Sequence, residues 1–205
     1  MTIPGSMTDV SPQWVEECVG RGKLKNISLA PIGEGVGMMS SMSIIELEWE
    51  DSKDMPSSLV LKLAAENDTN RAVSQQFNLY LKEVSYYKDL APRTTARSPL
   101  VYASEIDEEH NFFLLMEDVS SYRMGSQVEG ATLQECELCV DFLANLHASF
   151  WNQLSDVEWL PNMSGSDNAT NMALGCEAGW PQLQAIFGEF VPDNIEAQRE
   201  RYLAA

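Results

Sequence analysis

Short segments rich in hydrophobic residues, separated by polar and glycine-containing turns, predict five β-strands in this chain. Three of these segments follow one another, and two more flank the polar stretch DEEHN. Their sequences are NISLAPIG, MSSMSIIELEWE and SSLVLKLAAE, followed by the two halves of PLVYASEIDEEHNFFLLMEDV. An antiparallel meander is the simplest arrangement of the first three.

Hydrophobic residues spaced three and four apart predict two longer helices. One lies in NDTNRAVSQQFNLYLKEVSYYKDLAP, after the third strand. Its apolar face consists of Val73, Phe77, Tyr80, Val84 and Tyr87. The other begins at Thr132 and has about six turns. Its apolar face consists of Cys136, Val140, Leu143, His147, Phe150 and Leu154. We interpret His147 as a packed, hydrogen-bonded residue of this face.

The order of these elements predicts an α+β fold, with a five-stranded sheet, one inserted helix and then further helices. A short helix in SPQWVEECVGRG, with Ser11 as its N-cap and Pro12 at its first position, precedes the sheet. We expect residues 1–119 to form a first domain, residues 120–131 a linker and residues 132–205 a helical part of a second domain.

Lys62 stands among hydrophobic residues in the strand segment LVLKLA. A buried ammonium loses its hydration unless a carboxylate or a phosphate meets it. Glu83 lies beside the apolar face of the following helix, so it reaches Lys62 if that helix packs on the sheet. Because a buried ion pair stabilises a fold poorly, we interpret the pair as a device that directs the ammonium towards a ligand.

The charge of the chain excludes some classes of partner. Its 205 residues include 13 Lys and Arg against 31 Asp and Glu, a net charge of −18. Such a field repels nucleic acids and anionic membrane surfaces, so neither is expected to bind. The sequence shows no signal peptide and no run of apolar residues long enough for a membrane span, which makes the cytoplasm the default location.

The cysteines predict no metal site. Cys136 and Cys139 form the pair with the spacing Cys-x-x-Cys, but no second pair or nearby histidines accompany them. We interpret them as ordinary buried residues of a helix.

A glycine-rich turn, a strand lysine, a helix glutamate and a strand ending in FFLLMEDV occur in this order. The order resembles the N-terminal lobe of the protein-kinase-like fold. The segments MTDVSPQWVEECV, KEVSYYKDLAP, LLMEDVS and LANLHASFWNQ narrow the resemblance to the aminoglycoside phosphotransferase and choline kinase-like families, especially the ecdysteroid kinase-like group. It runs from about Met7 to Asn152 and is strongest between Pro31 and Val119.

This resemblance implies an ATP-binding site. Main-chain N–H groups of the turn would cover the nucleotide phosphates, and glycine allows the close approach. The turn consists of Gly33, Glu34, Gly35, Val36 and Gly37. Lys62, held by Glu83, would neutralise the α- and β-phosphates. The main chain from Glu117 to Val119 would bind the adenine edge, with Met116 among the apolar residues around the ring.

Each of these features also has an ordinary explanation. Hairpins use glycine for turn geometry without any ligand, and a strand lysine at a sheet edge extends its ammonium to water. Glu83 would then be a solvated helix residue, and Glu117 would only end its strand. The four features together, in this order, favour the kinase-like interpretation.

The catalytic loop of this fold, His-x-Asp-x-x-x-x-Asn, is absent from the chain. The two histidines, His110 and His147, are followed two places later by Phe112 and Ser149. We therefore assign no catalytic residue and no metal ligand, and Mg²⁺ is expected only with a further part of the second lobe. The chain alone is predicted to be inactive or nearly so.

Two hypotheses follow. In the first, the chain is the N-terminal portion of an ATP-dependent kinase that phosphorylates a hydroxyl group of a small molecule, and its second lobe is truncated. In the second, it is a non-catalytic module that binds a nucleotide or another protein. Truncation predicts that Phe150, Trp151, Trp180 and Phe187 are exposed. The sequence leaves the acceptor and the oligomeric state open.

Overall fold

A computed structural model describes residues 1–33, 39–126, 128–160 and 167–203. Within them the strands are β1 (Leu24–Ile32), β2 (Ser40–Trp49), β3 (Ser58–Ala64), β4 (Val101–Ile106) and β5 (Phe112–Glu117). The α-helices are α1 (Pro12–Val19), α2 (Asp68–Gln76), α3 (Leu79–Ser85), α4 (Leu133–Phe150), α5 (Asp167–Phe187) and α6 (Asp193–Leu203). The chain divides into two compact units, Met1–Asp156 and Val157–Ala205.

The first unit contains an antiparallel sheet that, in the described residues, has five strands in the order β1-β2-β3-β5-β4. The predicted α+β class with a five-stranded antiparallel sheet is confirmed. The first three strands form the expected meander. The last two reverse their order, so that β5 pairs with β3 and β4 lies at the edge. This order places β3 at the centre of the sheet.

Both faces of β3 are covered, and its side chains alternate between them. Leu59, Leu61 and Leu63 belong to a buried cluster with α1, in which the Trp14 and Phe113 rings meet edge to face at 5.0 Å. The opposite face packs against α3 through a second buried cluster. This cluster consists of Val60, Tyr80, Val84, Phe112, Leu114 and Met116. Lys62 lies two positions after Val60 in the strand, so its side chain is on this second face.

The first helix begins where its sequence predicts. The Ser11 side chain accepts a hydrogen bond from the Trp14 N–H at 3.2 Å, Pro12 occupies the first helical position, and Gly20 closes the helix in the left-handed region at φ +75°. Gly22 is also left-handed, and a Cβ there would lie 2.8 Å from the Trp49 ring. Glycine at this position thus allows the turn into β1 to lie against a core aromatic ring.

The helix predicted between β3 and β4 is interrupted. The first part, α2, ends at Gln76, and Asn78 adopts the left-handed conformation at φ +50° before α3 begins. Asparagine enters this region more readily than most residues. Tyr80 and Val84 are buried as predicted, whereas Val73 and Phe77 are only half-buried. A π-helical turn (Tyr86–Leu90) and a 3-10 turn (Ala91–Arg93) follow α3.

The fourth helix starts at Thr132, as predicted, but its apolar face is exposed where it was expected to be packed. Thr132 and Glu135 form a capping box at its start. Its hydrophobic residues Val140 and Leu143 are 63% and 45% exposed, and His147 is exposed. The interpretation of His147 as a packed residue was therefore wrong. An amphipathic pattern shows which face of a helix is apolar but not which element covers it.

Two cysteines of this helix are also exposed. We predicted that Cys136 and Cys139 are buried, and both lie on the surface. Cys18 in α1 is buried instead, and this burial raises the pKa of its thiol to about 12. A thiol with such a pKa stays protonated at neutral pH, so Cys18 acts as a core side chain.

The aromatic residues that were expected to be exposed divide into two pairs. Trp151 is 74% and Phe187 52% exposed, whereas Phe150 is buried and Trp180 half-buried. Phe150 is covered because the Arg93 guanidinium lies over its ring, 5.7 Å from the centroid. Arg199 lies similarly over Trp180 at 5.2 Å, in the second unit.

Across residues 1–33, 39–126, 128–160 and 167–203, no helix has the length and apolar character that a bilayer crossing requires.

Candidate functional site

Lys62 and Glu83 form an ion pair between the central strand and the helix that covers it. The Lys62 ammonium donates to both carboxylate oxygens of Glu83, at 2.6 and 2.7 Å. The two side chains are 19% and 30% exposed. The structure thus brings together the two residues that the sequence paired, on the side of the sheet that α3 covers.

The position of Lys62 follows from the strand register. It pairs with Met42 of β2 and with Leu114 of β5, both of which face α3. An ammonium has three hydrogen-bond donors, and within the described part of the chain it contacts no acceptor beyond the two oxygens of Glu83. A third donor therefore points away from the pair, in a side chain that water or a ligand still reaches.

Aromatic residues of α3 and of the π-helical turn after it hold Glu83 towards the sheet. The Tyr80 ring stacks on Phe112 at 4.3 Å, and Tyr87 packs against the same cluster. Burial raises the pKa of Tyr87, and the negative charge of Glu83 adds to the rise. The carboxylate thus emerges from an apolar helix face, where its attraction to a cation is stronger than in water.

The predicted glycine turn lies largely outside the described residues. Gly33 follows β1 directly and is left-handed at φ +73°, as the turn requires. Glu34, Gly35, Val36 and Gly37 are not among the described residues.

A cavity of about 490 Å³ opens beside Gly33. Its walls come from the turn at Met7–Asp9, the end of β1 and the start of β2, and include Ser41, Ser43 and Glu66. Lys62 is not part of its lining. The cavity reaches Met42, the strand partner of Lys62.

The residues predicted around an adenine ring lie at the end of β5. Met116 is buried in the cluster beneath α3, opposite Val60 of β3. The Glu117 carboxylate accepts from the Leu100 N–H at 3.1 Å, and the Glu117 N–H donates to the Leu100 carbonyl at 2.7 Å. Val119 is 39% exposed, and its carbonyl accepts from the Tyr122 N–H. The Glu117 side chain thus holds the neighbouring chain segment, whereas Val119 is open to solvent.

A hydrogen bond that was not predicted from the sequence fixes this segment. The Ser58 hydroxyl, at the start of β3, donates to the Asp118 carboxylate at 2.6 Å, and the Ser120 N–H donates to its other oxygen at 2.8 Å. These bonds, that from Ser58 first, lower the pKa of Asp118. No local signal predicts a pair separated by sixty residues, because it depends on the pairing of β3 with β5.

This pair predicts a pH-dependent contribution to stability. The folded-state pKa of Asp118 lies below its ordinary value of 3.8, so the contribution is present above that value and is lost as the pH falls through the folded-state pKa. We expect Ser58→Ala to lower the free energy of unfolding by about 1 kcal/mol at about pH 6, and by less at about pH 3. Urea unfolding at both pH values measures this difference. An equal loss at both values would show that the hydroxyl does not act through the carboxylate.

In α4, Asn145 donates its side-chain N–H to the Asp141 carbonyl at 2.9 Å, so this amide is bound within its own helix. Over the described ranges no group of His, Cys, Asp and Glu side chains is arranged to hold a metal ion.

The sheet, its central lysine and the paired helix glutamate define a kinase-like N-terminal lobe followed by helices. The model of the ecdysteroid kinase-like family matches residues 34–153, more than half of the chain, and the protein belongs to this family. The predicted membership is confirmed. The matched stretch includes Lys62, Glu83 and the end of β5, and it makes the protein a member of a kinase-like phosphotransferase family, a class that generally uses ATP. No curated protein matches the chain.

Proposed function

We propose that this chain binds ATP through Lys62 and forms the nucleotide-binding part of a phosphotransferase that acts on a hydroxyl group of a small molecule. The observation that carries this proposal is the ion pair: one ammonium is held by both oxygens of Glu83 and remains 19% exposed. Such an arrangement holds the cation in a fixed geometry and leaves one N–H donor for a phosphate. It contributes little to the stability of the fold.

The chain has groups that fit the nucleotide. Lys62 would hold the α- and β-phosphates, and the turn that starts at Gly33 would cover them. The main chain of Glu117–Val119 would bind the adenine edge, with Met116 in the apolar wall beneath it. When bound, ATP supplies the phosphoryl group. In a molecule with a net charge of −18, only such a local set of donors attracts a polyanion.

We further propose that residues 1–119 act as the nucleotide-binding lobe, residues 120–131 as the linker and residues 132–205 as part of the second lobe. The sequence provides no aspartate of the catalytic-loop pattern to position an acceptor hydroxyl. Transfer without that positioning loses most of its rate enhancement. This chain is therefore expected to bind ATP without turning it over.

A second candidate function is a module that binds a nucleotide or a protein partner without any catalysis. The missing catalytic pattern favours it, because a complete Lys62–Glu83 pair persists without the residues that transfer requires. Binding of ATP is common to both functions. They differ in whether a second protein segment carrying the catalytic loop restores turnover when it is added.

Titration calorimetry with ATP and Mg²⁺ tests the proposal. We expect the wild-type chain to bind and Lys62→Ala to bind at least about tenfold more weakly, because a charge-assisted contact to phosphate is lost. Lys25→Ala is the matched control, since Lys25 also lies on a strand and pairs with a glutamate, Glu48, but is 54% exposed. Equal heats for the wild type and Lys62→Ala, or no heat for either, would refute a nucleotide site at Lys62.

A further inference from the structure

The Lys62–Glu83 distance depends on how firmly α3 is fixed against β3. The ion pair does not fix it alone, because two long side chains can follow a small displacement of the helix. Apolar packing adds an attraction that is not directional. Directional hydrogen bonds between the helix and the strands are a more exact constraint.

The Tyr80 hydroxyl makes two such bonds. It donates to the Met39 carbonyl at 2.7 Å and accepts from the Ala65 N–H at 3.0 Å. The residue is 2% exposed, and its ring is held by stacking on Phe112. The hydroxyl therefore sits at a fixed place between main-chain groups of two different segments.

Those two segments are the adjoining ends of β2 and β3. Met39 directly precedes β2, Ala65 directly follows β3, and the neighbouring residues Ser40 and Ala64 pair with each other. Ala65 is also three residues after Lys62. One phenol oxygen thus connects α3 to the end of the strand that carries the ammonium.

Tyr80 is placed equally close to the carboxylate. It lies three residues before Glu83 in the same helix, a spacing that puts both on one face. The Ser74 hydroxyl, at the end of α2 and fully buried, also donates to the Met39 carbonyl, at 3.4 Å. The helix that carries Glu83 and the helix before it are therefore bound to the same carbonyl.

We propose that Tyr80 is a positioning residue for the ion pair: its hydroxyl fixes α3 against the ends of β2 and β3 and so holds the Glu83 carboxylate on Lys62. A phenylalanine would fill the same space and keep the ring stack. The hydroxyl contributes only the two main-chain bonds. Removing it leaves the buried Ala65 N–H without its partner and the Met39 carbonyl with only the longer bond from Ser74. The effect on ATP binding rests on the proposed function, whereas the effect on the ion pair does not.

The reactivity of the Lys62 amine towards acetic anhydride, followed by mass spectrometry on the folded chain, measures the ion pair directly. We expect Tyr80→Phe to raise the rate of Lys62 acetylation roughly fivefold, the factor that corresponds to one ordinary hydrogen bond. Glu83→Gln should raise it as well. Tyr102→Phe removes a hydroxyl from a half-buried tyrosine packed on the opposite face of the sheet and should leave the rate unchanged.

The double variant separates positioning from general loosening. If Tyr80 acts through Glu83, Tyr80→Phe adds nothing to Glu83→Gln, whereas independent effects would multiply. A wild-type rate in Tyr80→Phe, or full multiplication in the double variant, would overturn the proposal. If Tyr80→Phe does not fold, Ser74→Ala is measured in its place. We expect a smaller rise in the rate of Lys62 acetylation, and an unchanged rate would count against the proposal.

The affinity for ATP is measured for the same variants, in addition to the rate of Lys62 acetylation. We expect a several-fold weaker affinity for Tyr80→Phe and no change for Tyr102→Phe. A wild-type chain that binds no ATP would refute the proposed function, while the acetylation rates would still decide whether Tyr80 positions the ion pair.

Discussion

Replacing Leu61 by alanine is expected to lower the free energy of unfolding of the first unit by about 3–5 kcal/mol. Leu61 is fully buried at the centre of the sheet, between Ser43 of β2 and Leu115 of β5. Its side chain belongs to the cluster that α1 covers. Because strands on both sides and a helix above surround it, the cavity left by alanine closes only in part. Urea unfolding followed by far-UV circular dichroism measures the loss.

The matched control is Leu138→Ala in α4. Leu138 is 64% exposed, and alanine is a good helix former, so the expected change is within about 0.5 kcal/mol. A loss at Leu138 as large as that at Leu61 would mean that this surface of α4 is covered in solution. Similar small changes at both positions would contradict the two-sided core described for the sheet.

Reversing the charge of Lys62 is expected to produce the second large effect. Lys62→Glu places a carboxylate against Glu83 in a site where both side chains are less than one-third exposed. We expect the free energy of unfolding to fall by about 2–4 kcal/mol, because the repulsion is added to the loss of the pair and partial exposure limits both. Chemical unfolding at neutral pH measures it.

Exchanging the two charges tests what the ion pair is for. In the double variant Lys62→Glu with Glu83→Lys, the attraction is restored, and we expect stability to return to within about 1 kcal/mol of the wild type. ATP binding should not return, because the cation now starts from the helix and not from the central strand. Recovery of both stability and binding would show that the position of the ammonium is unimportant, which contradicts the proposed role of Lys62.

The sequence predicted the parts of this site that depend on local patterns. The five strands follow from short hydrophobic segments between turns, and Ser11 and Thr132 mark the two helix starts at which their side chains accept bonds. The pairing of Lys62 with Glu83 was predicted because a lysine among leucines needs a partner. In the structure, the Lys62 Nζ atom lies 2.6 Å from a carboxylate oxygen of Glu83.

Other parts depended on contacts that no local pattern records. The helix before β4 breaks at Asn78, although its spacing of apolar residues continues through the break. The apolar face of α4 follows the expected period but is exposed along much of its length. In the first case the periodicity did not predict the break. In the second it described the helix face correctly and gave no information on its surroundings.

The hydroxyl of Tyr80 shows the same limit most clearly. Its place in the sequence predicts a buried aromatic residue, which it is. Its bonds to Met39 and Ala65 join segments 41 and 15 residues away. Those bonds exist only because the start of β2 lies beside the end of β3, against α3.

By itself the sequence determined the strands, the starts of α1 and α4, the net charge of −18 and the need of Lys62 for a carboxylate, because each of these depends on neighbouring residues or on a simple sum. Only the tertiary structure decided the strand order, which places Lys62 on the central strand, and the bonds of Tyr80 and of Ser58 with Asp118. The physical reason is that hydrogen bonds act over about 3 Å. They therefore depend on which distant segments folding brings together, and no spacing along the chain records that.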